Sequence, residues 1–427
     1  MCARSTLSRD IDVDRLGWAS QTHTPYVGCR RICDPMWTHE TQETWGDKMK
    51  VSQYRWTEDE GWNPALEAGD VDAPDVAFVF GARPVLQGGE QLNAIRNRFS
   101  NAIVLGGSTS GEIIDEEVLD DSLVVSAIKF EKTDLKLHSV TCSEGGASLE
   151  AGKELGQKFA TEGLRHVFVI SNGLNVNGTD LTAGLTEVLP DGVTITGGLT
   201  GDAADFGETF VVAGDAGTTT MVAGLGLYGD SLKVGFGSAG GWDVFGPERK
   251  VTKSSGGVLN ELDGKSALSL YKEYLGEHAE QLPGSALLFP IMVTREGSDR
   301  GVVRTILSVD ETEHTMTFAG DVAEGAKAQL MKANTDRLVD GAASAAKACV
   351  RGLDGESAQF TVLVSCVGRK LVMKQRVEEE VEAVREVIGD ASAMTGFYSY
   401  GELAPYEAGS PCELHNQTMT ITAFSEV

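Results

Sequence analysis

The sequence predicts an α/β protein of two layered α/β domains with mixed sheets, the N-terminal one internally duplicated. Three observations carry this. Apolar runs of strand length alternate with segments whose apolar residues recur every three or four positions. A pattern of strand, amphipathic helix, strand and glycine pair starts at Val76 and again at Val167, an ungapped offset of 91 residues. The chain then closes on Thr-Met-Thr-Ile-Thr-Ala-Phe, residues 418–424, whose period of two reads as a strand.

Residues 1–48 differ from all that follows. They hold Cys2, Cys29 and Cys33, three of the six tryptophans and no periodic apolar run. Cys29 and Cys33 with His23 and His39 match no zinc-ligand spacing. The expectation is a disordered or non-native extension, with the working protein starting at Met49. The first domain is then 49–240. In its first copy Val76–Phe80 is a strand, Glu90–Phe99 a helix carrying Leu92, Ile95 and Phe99, and Ala102–Leu105 a strand ending in Gly106-Gly107-Ser108-Thr109-Ser110-Gly111-Glu112. Strands Leu123–Phe130 and Leu135–Thr141 follow. In the second copy Val167–Ile170, Leu181–Leu189 and Val193–Thr196 repeat the order and end in Gly197-Gly198-Leu199-Thr200-Gly201-Asp202. Strands Thr219–Leu227 and Leu232–Gly237 close the domain.

The second domain is 241–427. Asp263-Gly264 marks a turn before a helix over Leu268–Leu275. Ala286–Met292 reads as a strand, Val302–Val309 and Thr315–Ala319 as a hairpin, and Gly325–Val350 as a long helix. Phe360–Ser365 is a strand, and Glu378–Ile388 a helix with Val381, Val384 and Ile388 on one face. Strand, helix, strand and glycine recur here, with Thr361 preceding Gly396 by 35 residues, so a looser third copy is expected.

Composition excludes several partners. There are 36 basic and 63 acidic residues, a formal charge of -27. Nucleic acid and anionic membrane both need a cationic surface. No apolar run approaches the ~20 residues of a membrane span, and no leader pattern opens the chain. The seven cysteines are scattered and make no disulfide framework. A cytoplasmic protein with reduced thiols is expected.

The glycine pairs have two readings. Glycine makes tight turns; consecutive N–H groups with Ser or Thr hydroxyls also make an anion-binding concavity. Gly106, Gly107, Ser108, Thr109, Ser110, Gly197, Gly198 and Thr200 have the residue types the second reading needs. Glu112, Asp202 and Glu402 follow the glycines in equivalent places, either holding a ligand ammonium or bracing the turn. Hydroxyls, N–H groups and carboxylates together suit a zwitterion such as an amino acid. No phosphate-binding loop or dinucleotide fingerprint is present. Cys412 and His415, three apart, fall on opposite faces of a strand start, and no nucleophile elbow surrounds either Cys412 or Cys366. Arg369 and Lys370 follow a strand end, where an anionic group or solvent is the alternative environment.

Several of these residues also resemble a known family. Gly107-Ser108-Thr109-Ser110-Gly111-Glu112 resembles the glycine signature of the FIST N-terminal domain. Asp263-Gly264-Lys265 with Ala267, Phe318-Ala319-Gly320-Asp321, Tyr398-Ser399-Tyr400-Gly401-Glu402 and His415-Asn416-Gln417-Thr418 resemble the FIST C-terminal domain. Many members carry cysteine where this chain has Gly107. The resemblance implies an intracellular sensory module that binds a small ligand such as an amino acid, with Tyr398, Tyr400, Gly401, Glu402, His415 and Asn416 added to the candidate site. It implies no catalytic residues, so a non-enzyme is expected, and no cofactor. Output passes to a separate partner, such as a histidine kinase or a cyclic-dinucleotide enzyme. The alternatives are a haem-based nitric oxide sensor with His415 as iron ligand, a ligand-independent interaction module, and an enzyme using Cys412 or Cys366.

Overall fold

In the computed structural model, which describes residues 49–143 and 145–427, a single four-stranded plan is used three times. In unit one the order across the sheet is Ile103–Ser108, Val76–Gly81, Leu123–Lys129, Lys50–Thr57. In unit two it is Thr194–Leu199, Leu164–Ser171, Met221–Tyr228, Asp134–Thr141, and in unit three Ala393–Ser399, Phe360–Cys366, Met419–Glu426, Leu232–Ala239. The first pair of each is parallel and the remaining pairs antiparallel. A parallel pair needs a long crossover, and here each is helical. The crossovers are Arg83–Gly88 with Glu90–Arg98, Gly178–Val188, and Val367–Met373 with Glu378–Ile388. The third copy expected around Gly396 is therefore present. The disordered or non-native extension expected over residues 1–48 lies outside the described residues.

Strand alternation sorts the core. Val76, Phe78 and Phe80, with Phe168 and Ile170, and Phe360, Val362 and Val364, face a common centre. There Phe78 meets Phe168 edge-on at 5.4 Å and stacks on Phe360 at 5.7 Å. The alternate residues face outward, Ala77 and Val79, Val167 and Val169, and Leu363, each set in a separate apolar cluster. Burial on both faces is why these strands read as unbroken apolar runs. Each fully buried phenylalanine contributes about 2–3 kcal/mol of transfer energy.

The units exchange hairpins. After its second parallel strand, unit one sends Glu112–Ile114 and Glu117–Leu119 to pair with Ala393–Ser399 of unit three. Unit two sends Val211–Ala213 and Ala216–Thr218 to Ile103–Ser108 of unit one. Unit three sends Gly401–Pro405 and Cys412–His415 to Thr194–Leu199 of unit two. The exchange is cyclic, and strand pairing crosses residue 240 in three places, through these hairpins and through Leu232–Ala239 on Met419–Glu426.

An insert interrupts unit three. Residues 243–332 carry a nine-stranded sheet and the helix Ala267–Leu275 around an apolar cluster of their own. Its first and last strands lie side by side, Asp243 opposite Lys332 and Val244 opposite Met331. The Asp263-Gly264 turn joins two insert strands, and its carboxylate accepts Lys250 N–H at 2.9 Å. No helix among the described residues is long and apolar enough to cross a membrane.

Some elements differ from the sequence expectation. The glycine pairs are not turns. Gly106 and Gly107 are inside Ile103–Ser108, and Gly197 and Gly198 inside Thr194–Leu199. The expected helix over Gly325–Val350 is a strand, Lys327–Lys332, then a helix, Thr335–Arg351. Ala328 and Leu330 point into the insert core at period two, and the Asn334 side chain caps the helix by accepting Arg337 N–H at 3.4 Å. Val302–Val309 is two strands, Gly301–Arg304 and Ile306–Asp310, and only the second pairs with Thr315–Phe318. Ala286–Met292 begins as a 3-10 turn, and the strand is Ile291–Thr294. The helix Ser148–Gln157 had no expectation, because Gly152 and Gly156 weaken helix propensity. Those glycines serve helix packing: a Cβ on Gly152 would stand 2.4 Å from Leu181 O, and one on Gly184 2.1 Å from Leu149 O.

Candidate functional site

The residues singled out by sequence gather at one end of the units, where the exchanged hairpins leave. Register makes Gly106, Gly197 and Gly396 equivalent, each opposite the buried Val79, Val169 or Leu363 of its parallel neighbour. A Cβ on them would stand 1.7, 1.9 and 2.1 Å from the carbonyl oxygen of that neighbour. A Cβ on Gly107 would stand 2.5 Å from Phe210 O, and one on Gly198 2.5 Å from the Val364 side chain. Glycine is required here for sheet contact.

The N–H groups beyond the glycines are committed to protein carbonyls. Ser108 N donates to Phe210 O at 2.7 Å, Ser110 N to Tyr398 O at 2.8 Å, Thr200 N to Ser171 O at 2.8 Å, Gly201 N to Ser108 O at 2.9 Å and Tyr400 N to Leu199 O at 3.1 Å. The hydroxyls are used as well: Ser108 Oγ donates to Gly201 O at 2.7 Å, Ser110 Oγ to Ala203 O at 3.0 Å and Thr200 Oγ1 to Ser171 O at 3.1 Å. These groups knit the three units together, and those N–H groups and hydroxyls are not left facing a shared anion.

Glu112 and Glu402 form the same bracket in two units. The Thr109 hydroxyl donates to Glu112 Oε1, and Ser122 donates to Oε2 from Oγ at 2.5 Å and from N at 3.3 Å. Ser399 Oγ donates to Glu402 Oε1 at 2.7 Å, and Thr418 donates to Oε2 from Oγ1 at 2.9 Å and from N at 3.2 Å. In both, the residue before the Ser or Thr has positive φ, 51° at Asp121 and 62° at Gln417. Burial raises the carboxyls to about 7 for Glu112 and about 8 for Glu402, outweighing these donors. The brackets hold each exchanged hairpin to the strand that follows it. Asp202 is different: it accepts Arg83 Nε at 2.8 Å and the N–H groups of Gly207 and Glu208 at 3.2 and 3.0 Å. Of the two roles expected for these acids, bracing is the one their partners fill.

The two brackets diverge at the turn they close. Asp121 is exposed, whereas Asn416 and Gln417 are 1% and 0% exposed. Both oxygens and both nitrogens of the two side-chain amides are buried without a hydrogen-bond partner. Leaving such a group unsatisfied costs about 1–3 kcal/mol. The turn is closed over by Trp242, whose Nε1 donates to Gln417 O at 2.8 Å, and by Gly368, where a Cβ would meet Gln417 Nε2 at 2.4 Å. From the insert, Arg304 donates through Nη1 to Leu414 O at 2.9 Å and through Nε to Asp321 O at 3.2 Å. Three of the four motifs of the second half thus converge, residues 318–321, 398–402 and 415–418; the Asp263 turn does not join them.

The remaining candidates have structural partners. Tyr398 Oη donates to Glu380 Oε1 at 2.9 Å, and Glu380 is ion-paired at 2.7 Å with Arg369, both fully buried. Arg369 therefore faces neither solvent nor an open anion site. Lys370 Nζ donates to Ser110 O at 2.9 Å. Tyr400 stacks on Phe206 at 4.6 Å and donates to Ala203 O at 3.3 Å. Gly401 lies under Leu414, 2.8 Å from where its Cβ would be. His415 is 4% exposed and donates Nε2–H to Ala404 O at 3.0 Å; burial lowers its pKa, with Arg304 adding to the effect. With Nε2 so occupied, the ring does not fit an axial haem ligand through that nitrogen. Burial pushes the Cys366 and Cys412 thiols far up, away from the reactive thiolate. Among the described residues no group of His, Cys, Asp and Glu has the arrangement of a metal site. Gln417, Arg304, Trp242 and Glu380 were missed as site residues. A signal existed for two: Gln417 stands in the His415–Thr418 motif, and Arg304 interrupts the apolar run Val302-Val303-Arg304-Thr305-Ile306.

Comparison with known proteins agrees with the motifs. Residues 75–265 match the FIST N domain and residues 267–405 the FIST C domain. The chain belongs to the FIST family. No curated protein matches it. One solved structure, a cyanuric acid hydrolase from A. caulinodans, aligns over 88% of this chain and 98% of that one, at 9% identity and a TM-score of 0.32. That likeness carries no argument.

Proposed function

We propose that this FIST protein is a sensor in signal transduction that binds a small ligand and passes the signal to a separate partner, such as a histidine kinase or a cyclic-dinucleotide enzyme. Amino acids are the first ligand class to test. The observation that carries the reading is the pair of unpartnered amides on Asn416 and Gln417, four buried polar atoms in adjacent residues. Buried polar groups in proteins are almost always satisfied, so adjacent orphans point to a partner that binds there. The place suits a sensor. It lies where the insert is tied to the three-unit body, by Arg304 on Leu414 O and by Asp321 on Asn177 Nδ2. A ligand that binds two arrangements of that contact unequally shifts their populations. Binding rather than catalysis is favoured by thiols held protonated and by acids committed to bracing. Native mass spectrometry of freshly purified protein, with calorimetric titration of the twenty amino acids, tests it. Expected is a retained small mass or a heat signal that Asn416→Ala removes; neither, in protein shown free of ligand, overturns the reading.

A further inference from the structure

The sensor reading uses Arg304 as a tie but does not account for its buried charge. It is 2% exposed, at the end of the insert strand Gly301–Arg304. Its guanidinium donates only to backbone carbonyls, of Asp321, Leu414 and, at 3.5 Å, Val303. Among the described residues no carboxylate forms an ion pair with it, in contrast to Arg369, which is equally buried and paired with Glu380 at 2.7 Å. Burial lowers its pKa only to about 10, so it stays a cation at neutral pH. A buried cation without a counter-ion costs several kcal/mol.

The carbonyl that Arg304 holds belongs to Leu414, two residues before Asn416. A cation with no ion-paired anion therefore holds the carbonyl that lies two residues before a pair of amides lacking all partners. Two carboxylates act on Arg304, those of Asp321 and Glu413, but neither forms an ion pair with it, and Glu413 is paired with Arg295 at 3.5 Å. Burial raises Glu402 to about 8, and His415 is kept neutral. Asp321 turns its carboxylate to Asn177 Nδ2 at 3.3 Å.

We propose that Arg304, Asn416 and Gln417 are the recognition set for the carboxylate of a small ligand. The proposal rests on the sensor reading and adds the charge class of the ligand and the residue that selects it. Guanidinium and carboxylate are matched in geometry and charge. The amide nitrogens donate to the same carboxylate, and the amide oxygens are left to accept from ligand N–H or O–H groups.

The test uses the whole chain and a panel of the twenty L-amino acids and the two- to five-carbon carboxylic acids, each beside its carboxamide. Thermal unfolding screens the panel and calorimetry follows up. Expected is stabilisation by at least one carboxylate, binding at least tenfold weaker for its carboxamide, and a similar loss in Arg304→Lys, which keeps the charge but not the fork. Asn416→Asp is a second variant, should Arg304→Lys fold poorly; it puts a negative charge beside the site and is expected to abolish carboxylate binding with an unchanged near-UV spectrum. A ligand lost in Asn416→Ala but bound equally as acid and amide, or unaffected by both variants, overturns the carboxylate proposal and leaves the sensor reading standing. No response to any panel member, with no retained mass in the native protein, overturns both.

Discussion

Glu112 and Glu402 make stability depend on pH in a direction opposite to most carboxylates. Both hold their proton more tightly folded than unfolded. Their stabilising contribution is complete below about pH 4, the unfolded carboxyl range, and is lost as pH rises through about 7 and about 8. The effect is about 3 kcal/mol for Glu112 and about 5 kcal/mol for Glu402. Urea unfolding across pH 4–9 is expected to show declining stability in the wild type and a flatter profile in Glu402→Gln, which keeps the shape of the bracket without the titration. A profile unchanged by the substitution removes this assignment. At the same scale, the buried thiols of Cys349, Cys366 and Cys412 are expected to react with iodoacetamide at neutral pH far more slowly than free cysteine. Peptide mapping reads this, and rapid labelling of Cys412 would revive the alternative of an enzyme that uses this thiol.

At the scale of strands and helices, the glycines of the parallel pairs are the strictest positions. Gly106→Ala, Gly197→Ala and Gly396→Ala each put a methyl within 2.1 Å of a buried carbonyl oxygen. Losses of at least about 2–3 kcal/mol are expected, against less than about 1 kcal/mol for Gly88→Ala, where nothing lies within 4 Å. Chemical denaturation of the four variants compares them. These glycines also show what was legible in the sequence. The repeat was readable because strand, crossover and glycine recur at fixed distance, and alternation marked most strands. The reason for the glycines was not readable: contact between parallel strands and a turn leave the same letters. Nor were the exchanged hairpins, since three-residue strands such as Glu112–Ile114 have no measurable period and pair with residues hundreds of positions away. For the site, the motif pointed to residues 415–418, but only burial and partner geometry separate Asn416 and Gln417 from the structural Tyr398, Glu402 and His415. Arg304 comes from a different part of the chain, and its lack of a carboxylate is visible only in three dimensions.

Across the whole molecule, the insert and the three-unit body are separable in one direction. The insert leaves and returns through adjacent strands, Asp243 beside Lys332. Replacing residues 245–331 by a short linker is expected to leave a folded body with cooperative thermal unfolding and no ligand binding. Ending the chain at residue 240 is expected to fail. It strips Gly401–Pro405 from Thr194–Leu199, Ala393–Ser399 from Glu112–Ile114 and Met419–Glu426 from Leu232–Ala239, leaving three strands without these partners. Size-exclusion chromatography of both proteins decides: a monomeric residue 49–240 fragment would show that the border seen in the sequence is also a folding border.

The cyclic loan of hairpins has a consequence between molecules. A segment that leaves its own unit to complete another has no means of knowing that the recipient belongs to the same chain. At high concentration during refolding, the hairpin Gly401–Pro405 with Cys412–His415 is expected to complete unit two of a second molecule, giving a domain-swapped dimer that dissociates only on unfolding. Because Asn416 and Gln417 follow directly on that hairpin, such a dimer would build each proposed ligand site from two chains.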